Sequence, residues 1–109
     1  MQRMGMVLGI RPERIPEYKR LHAEVWPDFL ALLSNHGITN YTIYLREPEN
    51  LLFGSWEYVG SDFAADMKIM AESPLTVKWN ELCMPCQQPL STIKQGEWWA
   101  PMEEVFHLD

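Results

Sequence analysis

Tyr18, His22 and Trp26 stand four residues apart in the segment Glu17-Tyr18-Lys19-Arg20-Leu21-His22-Ala23-Glu24-Val25-Trp26-Pro27. On a helix, residues four apart share one face. That spacing sets an imidazole between a phenol and an indole. Imidazole titrates nearest neutral pH and can give or take a proton there. Flat aromatic rings make walls for a small neutral ligand such as a sugar. The same residues admit a plainer reading. His22 also lies in the middle of the stripe formed by Val25, Phe29, Leu32 and Leu33. A histidine on an apolar stripe is commonly a hydrogen-bonded core residue.

Other candidate chemistry is sparse. Cys83-Met84-Pro85-Cys86 has the CxxC spacing of a redox pair or half a zinc site. No second CxxC accompanies it, and His22, His36 and His107 are far apart in sequence. Two free thiols near a helix end is the favoured reading, with no metal expected. Five Trp and seven Met are many for this length and read as core and interface packing. Trp98-Trp99 sits in a stretch of little periodicity, where large rings need a partner surface to cover them.

Charge and length exclude several partners. A net charge of −6 and the absence of any basic run argue against a nucleic-acid backbone or an anionic membrane. The apolar run Met4 to Ile10 is too short to span a bilayer and has no small-residue cleavage site after it. The expected setting is therefore the cytoplasm. A chain of 109 residues fits one domain, residues 1–109, with a modest core.

The elements that must hold His22 can be read along the chain. Residues 3–10 read as a strand ending at Arg11-Pro12. Pro16 suits a first helical turn, and an amphipathic helix runs to about His36, with Gly37 as its C′ residue. Pro27 should kink or restart that helix. Thr39 to Leu45 and Leu51 to Val59 are strands joined by the turn Arg46–Asn50, hence a hairpin. Ser61 or Asp62 caps a helix that carries Phe63, Ala64, Met67 and Met70 inward. Ser73-Pro74 starts another helix, to about Met84. Residues 85–101 look irregular, and Met102 to Leu108 reads as a final strand. The order β-α-β-β-α-β predicts an α+β, ferredoxin-like antiparallel sheet with helices on one face. The bare face would be covered by a second copy in a two-fold dimer.

Several segments match one family together: Glu17-Tyr18, His22, Trp26-Pro27, His36-Gly37, Asn40-Tyr41-Thr42-Ile43-Tyr44-Leu45, Asn50-Leu51-Leu52-Phe53 and Glu104-Val105-Phe106-His107-Leu108. Taken in order, they make the chain resemble the L-rhamnose mutarotases over essentially its whole length. The resemblance implies a small ferredoxin-like homodimer of dimeric α/β-barrel type. It implies interconversion of the α and β anomers of L-rhamnose without a cofactor. It places the catalytic histidine on His22 and the sugar-binding tyrosines on Tyr18 and Tyr41. The family's Trp-Trp pair falls on Trp79-Asn80, so this chain departs at the second position.

Mutarotation opens the hemiacetal ring and recloses it on the other face, which needs an acid and a base. Protonated His22 is the expected acid at the ring oxygen. The base is left open among Glu57, Glu103, Glu104, His107 and a water. Trp79, with Trp26 or Trp56, is expected against the sugar's C–H face. Two rival functions share this fold: a cofactor-independent or haem-related monooxygenase, and a non-enzymatic sugar-binding module. Fold alone does not choose among them.

Overall fold

The structure, a computed structural model, describes all 109 residues. Strand β1 (Gln2–Ile10) pairs antiparallel from Gln2 to Gly9 with β3 (Leu51–Tyr58), and β3 pairs with β2 (Ile38–Arg46). The opposite edge of β1 is shared by two short strands, β4 (Gln87–Gln88) and β5 (Ala100–Pro101). The sheet order is β2-β3-β1-β4, the ferredoxin-like arrangement expected from the element order. Each helical segment is split in two: α1 (Ile15–Ala23) and α2 (Pro27–Asn35), then α3 (Phe63–Glu72) and α4 (Pro74–Cys83).

The first split is set by Pro27. Trp26, the residue before it, takes φ −58° and ψ 129°, the extended conformation a following proline imposes. The chain therefore leaves the helix after Ala23 and restarts at Pro27. Tyr18 and His22 keep their four-residue spacing on α1. Trp26 does not continue it, so the single helical face through Trp26 is not formed.

Period-two alternation puts Met4, Met6, Leu8 and Ile10 of β1 against the helices, facing Leu52, Gly54 and Trp56 across the β1–β3 ladder. Leu52 and Ile10 join Ile15, Tyr18, Phe29, Trp79 and Cys83 in the main core cluster. Ile38, Trp56, Tyr58 and Met70 form a smaller cluster beside it. One irregularity makes this possible on β2. Thr39 pairs with Glu57 and Thr42 with Ser55, so Asn40 and Tyr41 together oppose the single Trp56. Asn40 sits at φ +50°, a left-handed conformation that asparagine tolerates, and its side chain donates to Glu57. The bulge flips the alternation. Ile38 on one side of it and Ile43 and Leu45 on the other thus reach the same helix-covered face.

Helix ends follow local chemistry. Gly37 at φ +85° closes α2, and a Cβ there would meet Tyr58 Cε1 and Gly60 N, each at 2.8 Å. Asp62, not Ser61, caps α3 by accepting from the Ala65 N–H at 3.1 Å. Ala64 points outward, unlike Phe63, Met67 and Met70.

The C-terminus differs from its sequence reading. Strand pairing occurs earlier, at Gln87–Gln88 and Ala100–Pro101, and residues 102–108 form no strand. The Met102 N–H bonds to Gly5 O, and Arg3 pairs with Glu104 at 2.9 Å. Beyond that the tail leaves the sheet, with Val105 90% and Phe106 79% exposed. The physical reason is the layer count. Helices cover one face only, so a single chain offers these apolar residues nothing to pack against. No helix is long and apolar enough to cross a membrane.

Candidate active site

A cleft of about 370 Å³ opens between α1 and the sheet. Ile10, Ile15, Ile43, Leu45 and Leu52 give it an apolar lining, while Tyr18, Lys19 and His22 of α1 bring the polar groups. Its size and character fit a small-molecule site.

His22 is held from three sides. Its ring stacks on Tyr18 with centroids 4.1 Å apart and planes at 27°. The edge of Trp79 meets it at 5.2 Å. Its Nδ1 lies 2.9 Å from the backbone oxygen of Tyr18. A carbonyl only accepts, so Nδ1 carries the hydrogen and donates. In the neutral ring Nε2 then holds the free lone pair. Burial lowers the pKa of His22 below the usual 6.5, and the bond to the Tyr18 carbonyl offsets this only in part. Burial thus favours the neutral imidazole at pH 7, where the sequence reading expected a protonated acid.

The pH dependence follows in sign. The unfolded chain takes up a proton at about 6.5, above the folded midpoint. The stability that His22 contributes is complete above 6.5 and is lost as pH falls toward that folded midpoint. A histidine-selective NMR titration should place the midpoint of His22 below 6.5. A midpoint at or above that value would show the imidazolium to be favoured instead.

Tyr18 is 6% exposed, and burial raises its phenol pKa above the ordinary value, so it is a neutral hydrogen-bonding group. Its hydroxyl meets Gln87 Nε2 at 3.4 Å, and Gln87 Oε1 in turn accepts from the Trp98 indole N–H at 2.8 Å. Gln87 is 6% exposed. Gln87 escaped the sequence reading; Trp98 figured in it as a large ring in need of cover, with no partner assigned. A Gln-Gln pair in an irregular stretch carries no periodic signal, and Gln87 lies 69 residues from Tyr18.

Trp79 is 7% exposed and enclosed by His22, Trp26 and Phe29, with the latter two ring centroids at 5.3 and 5.4 Å. It backs His22 from the core side. Tyr41 lies two residues along β2 from the cleft residue Ile43, with its ring 6.2 Å from Trp56. The residue is 38% exposed, yet burial around its hydroxyl pushes the phenol up to about 12. The Trp56 indole N–H beside it is buried and has no partner.

Asn80 is not brought to this cleft. It is exposed and lines a separate surface groove with Val77, Glu81, Met84 and Pro85. Adjacent helical residues point about 100° apart, so with Trp79 turned inward Asn80 turns out. Trp98 instead connects to Tyr18 through Gln87, and Trp99 packs against the main core cluster. Among the other acid–base candidates, Glu57 is engaged by Asn40, Glu104 by Arg3 and His107 by Asp109. The CxxC thiols are free and buried, and burial pushes Cys83 up to about 12. A thiol so protonated is a poor nucleophile at neutral pH.

A family model described as L-rhamnose mutarotase matches residues 3–108. The chain belongs to the L-rhamnose mutarotase family. The L-rhamnose mutarotase of Oceanobacillus iheyensis is 32% identical to it across 100% of both chains. Among solved structures, the L-rhamnose mutarotase of Formosa agariphila superposes with a TM-score of 0.80 at 23% identity, over 100% of both chains. Tetracenomycin F2 cyclase of Streptomyces glaucescens, a polyketide cyclase, has a TM-score of 0.71 at 17% identity, again over 100% of both. At those identities the two structures speak for the fold, which the mutarotase family shares with other chemistries.

Proposed function

We propose that this protein interconverts the α and β anomers of L-rhamnose, with His22 as the proton carrier. The observation that carries the reading is an imidazole that donates from Nδ1, which leaves Nε2 free, held in an apolar cleft beside a phenol. Ring opening takes the proton off the anomeric hydroxyl and breaks the bond between the anomeric carbon and the ring oxygen, which must gain a proton. Both oxygens sit on the same carbon. One imidazole therefore suffices: Nε2 accepts from the anomeric hydroxyl and delivers to the ring oxygen. The open aldehyde rotates, and the same steps run in reverse on the other face. No separate base among the carboxylates is needed. Tyr18 and Tyr41 supply hydrogen bonds to sugar hydroxyls, and Trp79 acts by holding His22. The 6-deoxy methyl group lies against Ile10, Ile15 and Leu52.

Saturation-transfer NMR across a sugar panel tests this reading. L-Rhamnose should exchange fastest. L-Mannose, which carries an added hydroxyl on the carbon that is a methyl in rhamnose, should be slower by about tenfold, the cost of burying an unpaired hydroxyl. Binding without acceleration would make the protein a sugar-binding module. Equal rates for the two sugars would remove the methyl pocket.

We also propose that the working form is a cytoplasmic homodimer, each chain one domain over residues 1–109. The exposed tail residues Val105, Phe106 and Leu108, and Tyr44 on the bare sheet face, support it. Sedimentation should give twice the 12.8 kDa chain mass. A monomer at micromolar concentration would refute it.

A further inference from the structure

Trp98, Gln87 and Tyr18 form a chain whose hydrogen-bond directions are all determined. An indole N–H can only donate, so the Gln87 atom 2.8 Å away must be the amide oxygen. A flipped amide would set donor against donor. The amide nitrogen is thereby turned toward the Tyr18 hydroxyl, at 3.4 Å. Nitrogen donates there, and the phenol oxygen accepts. The hydrogen of Tyr18 cannot then be given to Gln87. Tyr18 lines the cleft, and that hydrogen is free to point into it.

We propose that Gln87 and Trp98 are positioning residues that present Tyr18 to the substrate as a hydrogen-bond donor. Neither touches the reacting atoms. Trp98 sets the amide, the amide sets the phenol, and the phenol offers its hydrogen to a sugar oxygen beside His22. The relay also divides labour across the stacked pair, with Tyr18 donating and neutral His22 accepting. It rests on the mutarotase reading of the cleft.

Gln87→Glu inverts the relay while keeping its shape. One carboxylate oxygen still accepts from Trp98. The other now accepts from Tyr18 and withdraws the hydrogen from the cleft. In the anomer-exchange assay, KM for L-rhamnose should rise about tenfold, the usual worth of one hydrogen bond, with kcat near wild type. Tyr18→Phe should raise KM similarly, and adding Gln87→Glu to it should cost nothing further, because the shared hydrogen is already gone. Should Gln87→Glu fail to fold, Trp98→Phe replaces it. That variant frees the amide to flip and should raise KM roughly two- to threefold, again only when Tyr18 is present. A purely structural role would instead lower the amount of active protein, reducing kcat at unchanged KM, and would persist in the Tyr18→Phe background. Either of those results overturns the relay. A wild type that does not accelerate exchange overturns the reading of the cleft, and the relay with it.

Discussion

His22→Asn should reduce catalysed anomer exchange by about 10²- to 10⁴-fold while leaving the protein folded. Asparagine places an N–H close to where Nδ1 of the imidazole lies. It can keep the bond to the Tyr18 carbonyl, 2.9 Å away in the native protein. What it lacks is Nε2, the ring nitrogen left with a free lone pair. The variant thus separates the structural half of the ring from the chemical half. Circular dichroism should show a native spectrum, and exchange should sit at the uncatalysed rate. A folded His22→Asn with wild-type turnover would place the proton carrier elsewhere.

The second large effect is on stability. Trp79→Ala should destabilise the protein by about 3–5 kcal/mol, the usual cost of deleting a buried tryptophan. The ring is 7% exposed and touches Trp26, Phe29 and His22, so three neighbours lose a packing partner at once. A domain of this size has only about 5–15 kcal/mol of total stability. Each kcal/mol moves Tm by about 4–8 °C in this size range. The melting temperature should therefore drop by more than 10 °C, and the surviving folded fraction should turn over slowly because His22 has lost its backing. A Tm within a few degrees of wild type, with weak sugar binding, would mean that Trp79 is chiefly a wall for the ligand.

These two residues also show how much could be read from the sequence. The Tyr18–His22 spacing needed only one turn of helix, and both residues lie within α1. Trp26 needed the helix to run on through Pro27, which it does not. Trp79 and Asn80 were read as a pair by likeness to the family; in the structure Trp79 is buried against His22, while Asn80 is exposed in a separate groove. The hairpin, the Asp62 cap and the Ser73-Pro74 restart were legible because each depends on chemistry within a few residues. The bulge was written more faintly, as an asparagine inside a β-branched and aromatic run. Gln87 was not legible, and Trp98 stood out only as a large ring, not as Gln87's partner. Their roles arise where a two-residue strand meets β1 and brings an amide to a phenol 69 positions away. The tail was misread for a different reason. Its apolar composition says strand, but a strand needs a layer to bury against, and one chain alone provides none.

The most direct test is the rate of α–β exchange in L-rhamnose at neutral pH, measured by saturation transfer against rising protein concentration. Wild type and His22→Asn are run side by side. The rate should climb in proportion to wild-type protein and stay flat with the variant. A flat line for wild type, or equal slopes for the two proteins, would contradict His22-dependent mutarotation.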